Sequence, residues 1–202
     1  DKYHFMITNH VLSDIDFDKF RHSIESRSGI YIDDSKQGSF KISLDTRMNA
    51  LGIHDYDSYY SFIMNDDAGR KEFEELLNLI LIKETFLFRD ERQLKILRQY
   101  VLPELLERKK SQEIRIWSAG CATGEEPYSI AMAIMEYFFP AGINVSIFGT
   151  DISDTALKMA KKGVYTKSSM RAIDTLVLKK YFTQKDGQYF LGEQVKQRVC
   201  FN

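Results

Sequence analysis

The feature that most restricts what this chain can fold into is a short apolar run, followed at once by a glycine-bearing loop and then by an amphipathic helical pattern. Residues 114–117 read Ile-Arg-Ile-Trp, and the loop is Ser118-Ala119-Gly120-Cys121-Ala122-Thr123-Gly124. Beyond it Ile130, Ala131, Ile134, Met135 and Phe138 recur at helical spacing. Pro127 suits the first turn of that helix, where a missing N–H costs nothing. The pattern predicts a helix over 126–139 stopped by Pro140 and Gly142, then a buried strand over 145–150 ending in Asp151. Ser153 or Asp154 can cap a further helix through Ala156, Leu157 and Ala160, which Gly163 ends. Strand, glycine loop, helix, strand, acid is the opening of a doubly wound α/β sheet.

A glycine turn between strand and helix serves several ligand chemistries, so its neighbours must choose among them. The positive end of a helix dipole favours a phosphate, and Glu125 and Glu126 at that end repel one. No Gly-Lys-Ser/Thr follows the glycines either, which argues against a nucleoside triphosphate loop. A cofactor carrying positive groups, such as the amino and sulfonium groups of S-adenosylmethionine, is favoured by the same carboxylates. Asp151 suits the ribose, since a carboxylate accepts from both hydroxyls. It stands 27 positions after Gly124, against about 20 in the dinucleotide pattern.

The first eighty residues carry helical spacing instead, in Phe17, Phe20 and Ile24 and again in Phe73, Leu76, Leu77, Ile80 and Leu81. A helical bundle is expected there, with Gly29, Gly38, Gly52 and Gly69 at turns and a helix-like aromatic run over 56–64. Residues 91–106 place Leu94, Leu97, Val101 and Leu105 on one face, with Pro103 expected to end or kink the helix near Leu102. The expected division is a helical N-terminal domain over 1–82, a connector over 83–110 and a cofactor-binding domain over 111–202.

Twenty-eight basic against 29 acidic residues give a formal charge of −1, with no basic surplus for general nucleic-acid affinity. Cys121 and Cys200 are too few and too far apart for a disulfide framework, and with His4, His10, His22 and His54 they lack metal-ligand spacing, so no metal is expected. Cys121 reads as a small loop residue rather than a nucleophile. With no apolar stretch of about 18 residues, no membrane insertion is expected, and a cytoplasmic location fits.

The segment Ile116-Trp117-Ser118-Ala119-Gly120-Cys121-Ala122-Thr123-Gly124-Glu125-Glu126-Pro127-Tyr128-Ser129-Ile130-Ala131 resembles the cofactor loop of the CheR-type chemotaxis methyltransferases. Lys83-Glu84-Thr85-Phe86-Leu87-Phe88-Arg89-Asp90 is similar to that family's Asn-Glu-Thr-x-Phe-Phe-Arg-Asp segment, and Gly149-Thr150-Asp151-Ile152-Ser153 to its second-strand acid motif. Arg47-Met48-Asn49-Ala50-Leu51-Gly52 resembles the end of an arginine-bearing helix in its small N-terminal domain. The resemblance implies a Rossmann-like fold and methyl transfer from S-adenosylmethionine, with S-adenosylhomocysteine as product, to glutamate side chains on the cytoplasmic helical bundle of a chemoreceptor. Carried over by position, Thr85 and Arg89 contact the methionine end of the cofactor, Gly120 lines the loop, Glu125 takes the amino group, Asp151 the ribose, and Arg47 faces the receptor. No catalytic base is implied. Two departures stand out: Lys83 replaces the usual Asn, and the region of Lys36, Lys41 and Arg47 is less arginine-rich than the family's. A third strand begins at Val199, after a hairpin turning at Asp186-Gly187. So few strands lead us to expect only the first part of the sheet, with self-association through its incomplete edge, a tendency to misfold, or further residues that complete it. The alternative is a non-catalytic module retaining receptor docking or cofactor sensing.

Overall fold

In the computed structural model, residues 11–65, 67–81, 84–108, 113–136 and 144–202 are described. The expectations at His4, His10, Lys83, Phe138, Pro140 and Gly142 lie outside them. The chain divides into two compact units, Asp1–Ile82 and Lys83–Asn202.

The first unit is helical: α1 (Asp14–Ser28), α2 (Gln37–Leu51), α3 (Tyr56–Met64) and α4 (Asp67–Ile80). Its boundaries follow local chemistry. The Ser13 hydroxyl accepts from the Asp16 amide to cap α1, the Asp55 carboxylate accepts from the Ser58 amide to cap α3, and Gly29 and Gly52 close α1 and α2 in the left-handed conformation. Phe20, Ile24, Leu44, Met48, Tyr59, Ile63 and Leu76 form the buried centre. Gly38 and Gly69 lie inside α2 and α4 rather than at turns. At Gly69 the reason is close packing, because a Cβ there would sit 2.2 Å from the Phe62 carbonyl oxygen of α3.

The second unit opens with α5 (Glu91–Ile96), a π-turn over Leu97–Val101 and α6 (Leu102–Arg108). Pro103 does not end this helix. The Leu102 amide reaches back to the Leu97 carbonyl, one residue beyond the α-helical partner, and the widened turn is the kind that accommodates an extra residue within a helix. The bulge also shifts the buried face, so Leu102 is buried whereas Val101 is exposed.

Three parallel strands follow in the order β1 (Glu113–Ala119), β2 (Asn144–Thr150), β6 (Val199–Phe201), with Ile116 opposite Ile147 and Ala119 opposite Thr150. Helix α7 (Glu125–Met135) connects β1 towards β2 and starts one residue earlier than expected, with Gly124 as its cap. Helix α8 (Asp154–Lys162) starts on the Ser153 cap and ends at Gly163. Between α8 and β6 lies a small antiparallel sheet, order β3 (Val164–Tyr165), β5 (Gln188–Leu191), β4 (Phe182–Lys185), with α9 (Thr175–Tyr181) before it and α10 (Glu193–Lys196) after it. The β4–β5 hairpin turns at Asp186 and Gly187, both at positive φ, as a two-residue turn matching strand twist requires. Tyr128, Met132, Ile147, Ala160, Val195 and Phe201 lie in the core of this second unit.

Candidate functional site: the loop between β1 and α7

The loop is held by the end of β2. The amides of Gly120 and Cys121 both donate to the Thr150 carbonyl, at 2.8 and 2.9 Å, and the Ala122 amide donates to the Asp151 carboxylate at 2.8 Å. Consecutive loop amides are what a phosphate would otherwise use. Here the protein's own carbonyl and carboxylate take three of them. Asp151 also accepts from the Ser153 amide at 2.8 Å through its other oxygen. It is half-buried and retains further lone pairs.

Glycines are required at two points. Gly124 has φ 90°, and a Cβ there would lie 2.9 Å from the Ala160 Cβ. A Cβ on Gly149 would meet the Phe201 ring at 2.7 Å. Gly120 is also at positive φ but faces open space. Tyr128 packs under the loop, with its hydroxyl donating to the Ala160 carbonyl at 2.9 Å.

The two acids of α7 have different surroundings. Glu126 is exposed and accepts from the Ser118 hydroxyl at 2.7 Å. Glu125 is 2% exposed and accepts from the hydroxyls of Thr123 at 2.6 Å and Ser169 at 3.1 Å. Among the described residues no Lys or Arg forms an ion pair with it. Burying a carboxylate without a counter-ion is costly. The field extends to Cys121, whose buried thiol is pushed up to about 11 by burial first and then by the charges of Asp151, Glu126 and Glu125. A thiol so held is protonated and unreactive at neutral pH.

Residues 84–90 approach α7 from another part of the chain. The Phe88 amide donates to the Ser129 hydroxyl at 2.9 Å and the Leu87 amide to the Ser169 carbonyl at 3.0 Å. Phe88 holds φ 58°, unfavourable for an aromatic residue and sustained by these anchors. Thr85 is half-buried, and Arg89 is exposed with one guanidinium nitrogen donating to the Glu84 carbonyl at 2.7 Å. Its remaining donors are available for a carboxylate. Thr85, Arg89, Gly120, Glu125 and Asp151 all belong to the second unit. Arg47 belongs to the first, where its guanidinium forms a two-point pair with Glu72 at 2.8 and 2.6 Å and Tyr59 adds a hydroxyl bond to Glu72 at 2.8 Å.

Sequence reasoning missed Ser118, Thr123, Ser129, Tyr165, Ser169 and Arg171. Thr123, two residues from Glu125, could have been found from the loop itself. Nothing in the local pattern marks Ser169, 44 residues away. A cleft of about 680 Å³ runs along β2 and β6, lined by residues such as Ser146, Phe148, Gln197 and Cys200, and contains none of the candidate site residues.

A parallel sheet with its first loop held by an aspartate, and its first helix opening on a buried carboxylate, is an α/β domain of the doubly wound class. That is the class of the S-adenosylmethionine-dependent methyltransferases. The chain belongs to the CheR methyltransferase family: residues 83–202 match its SAM binding domain and residues 15–81 its all-alpha domain. S-adenosylmethionine is accordingly the cofactor of this domain.

Chemotaxis protein methyltransferase 2 of Vibrio cholerae is 30% identical over 193 residues, covering 95% of this chain and 67% of that protein. Chemotaxis protein methyltransferase 1 of Pseudomonas aeruginosa is 33% identical over 192 residues, covering 92% and 69%. The chemotaxis protein methyltransferase of Escherichia coli is 30% identical over 191 residues, covering 94% and 64%. The chain thus spans about two thirds of the length of these relatives. No helix among the described residues is long and apolar enough to cross a membrane.

Proposed function

We propose that this chain forms the cofactor-binding part of a cytoplasmic enzyme that methylates glutamate side chains on the helical bundle of a chemoreceptor. The observation that carries the reading is Glu125, a buried carboxylate with two hydroxyl donors and no cationic partner among the described residues. Its complement is the amino group of S-adenosylmethionine. Asp151 takes the ribose hydroxyls, Gly120 lets the chain pass closely beneath the cofactor, and Thr85 and Arg89 take the methionine carboxylate, to which a guanidinium can give two parallel bonds.

When bound, the cofactor supplies an electrophilic methyl group. The protein's share is to bind, orient and exclude water. A glutamate side chain is already ionised at neutral pH, so the nucleophile needs no general base. That agrees with a site whose one cysteine is buried and protonated. The acceptor glutamates and Arg47 as a receptor contact are part of this proposal. So is association through β1, an edge strand of the parallel sheet among the described residues.

Calorimetric titration with S-adenosylhomocysteine tests the cofactor part, with saturable one-to-one heat expected and its absence refuting it. Transfer of labelled methyl groups from the whole protein to receptor glutamates tests the rest. Labelling of some other side chain would refute the substrate. Sedimentation as a 23.6 kDa monomer would refute association.

A further inference from the structure

Glu125 can hold a cationic group well only if its carboxylate is fixed, because the terminal torsion of a glutamate is broad. One anchor, Thr123, lies in its own loop. The other comes from the short turn Lys167–Met170 that follows β3. From there the Ser169 hydroxyl donates to Glu125 Oε1 at 3.1 Å, while the Ser169 carbonyl accepts from the Leu87 amide at 3.0 Å. A single residue therefore touches both the acid and the segment that carries Thr85 and Arg89.

Its neighbours reinforce the same junction. The Tyr165 hydroxyl donates to the Thr123 carbonyl at 2.9 Å, gripping the loop just before Glu125. The Arg171 guanidinium lies 3.6 Å from the centre of the Phe86 ring and pairs with Glu84 at 3.2 Å, gripping the other segment on both sides of Thr85. Three side chains within seven positions thus reach the two segments between which the methionine end would lie.

We infer that Ser169 is a positioning residue for the amino-acid end of the cofactor: its hydroxyl orients Glu125 while its carbonyl fixes residues 84–90 at the matching distance. The inference rests on the reading that Glu125 takes the cofactor's amino group. Ser169→Ala removes the hydroxyl and keeps the carbonyl, so it separates the two contacts. The expected loss is about tenfold in affinity for S-adenosylhomocysteine, the scale of one hydrogen bond to a charged group.

The test is titration of the full chain with S-adenosylhomocysteine and with methylthioadenosine, which shares the nucleoside but lacks the amino-acid end. Ser169→Ala should weaken the first and leave the second unchanged, and Ser169→Thr, which keeps a hydroxyl, should restore the first. Unchanged S-adenosylhomocysteine binding, or an equal loss for both ligands, overturns the inference and leaves the proposed function standing. Failure of the unsubstituted chain to bind S-adenosylhomocysteine overturns both.

Discussion

Replacing Glu125 by Gln keeps the shape of the side chain and removes its charge, so it asks whether the buried carboxylate serves the fold or a ligand. In the free protein two effects oppose each other. The carboxylate is 2% exposed and has no cationic partner among the described residues, and the effective desolvation penalty of such an ion is several kcal/mol. Against it stand two charge-assisted hydrogen bonds from Thr123 and Ser169, each worth about 1 kcal/mol more than its neutral counterpart. The difference leaves Glu125→Gln between neutral and about 2 kcal/mol more stable, a rise in melting temperature of up to about 5 °C for a chain of this size. With ligand the sign reverses. An amide cannot pair with an ammonium as a carboxylate does, and affinity for S-adenosylhomocysteine should fall by about 10- to 50-fold. Thermal melts with and without S-adenosylhomocysteine read both effects, because the ligand-induced rise shrinks with the affinity. A variant that melts well below the parent without ligand, yet binds as tightly, would make Glu125 a structural anchor and refute the reasoning.

Asp151→Asn leaves one acceptor oxygen for the two amides of Ala122 and Ser153; loop and ribose contacts should suffer together, and titration should show about tenfold weaker binding of S-adenosylhomocysteine and methylthioadenosine alike. In the first unit, Arg47→Ala strands Glu72, which is 5% exposed, and should cost about 3–5 kcal/mol by urea denaturation, with Lys a poor replacement because it lacks the two-point fork; a loss below about 1 kcal/mol would refute the pair's structural weight. Cys121, pushed up to about 11, should resist alkylation at pH 8 while exposed Cys200 reacts, as followed by mass spectrometry. Because the folded value lies above the unfolded one, the protonated Cys121 contributes stability that is complete below about pH 8.5 and is lost as pH rises towards 11; a melting temperature independent of pH in that window would contradict this.

Much of the architecture was legible because it is local. Capping by Ser153, closure by Gly163, turns at Gly29 and Gly52, and the two-residue turn at Asp186-Gly187 depend on a few adjacent residues. The reading that failed at Gly69 was also a local rule, overridden by packing. Gly69 looked like a turn and proved to be where α3 and α4 come within backbone contact. At Pro103, where an end or a kink was expected, the helix runs on and the turn just before it is widened.

By itself the sequence determined the opening order of strand, glycine loop, helix, strand and helix, and the positions of Glu125 and Asp151 on either side of one loop. Only the tertiary structure decided that Asp151 fills the loop's own amides, that Glu125 is buried without a counter-ion among the described residues, and that Ser169 reaches it from 44 residues away. Helical and strand periods, caps and turns are set by neighbours in the chain. The position of a hydroxyl relative to a distant carboxylate depends on how a whole sheet packs.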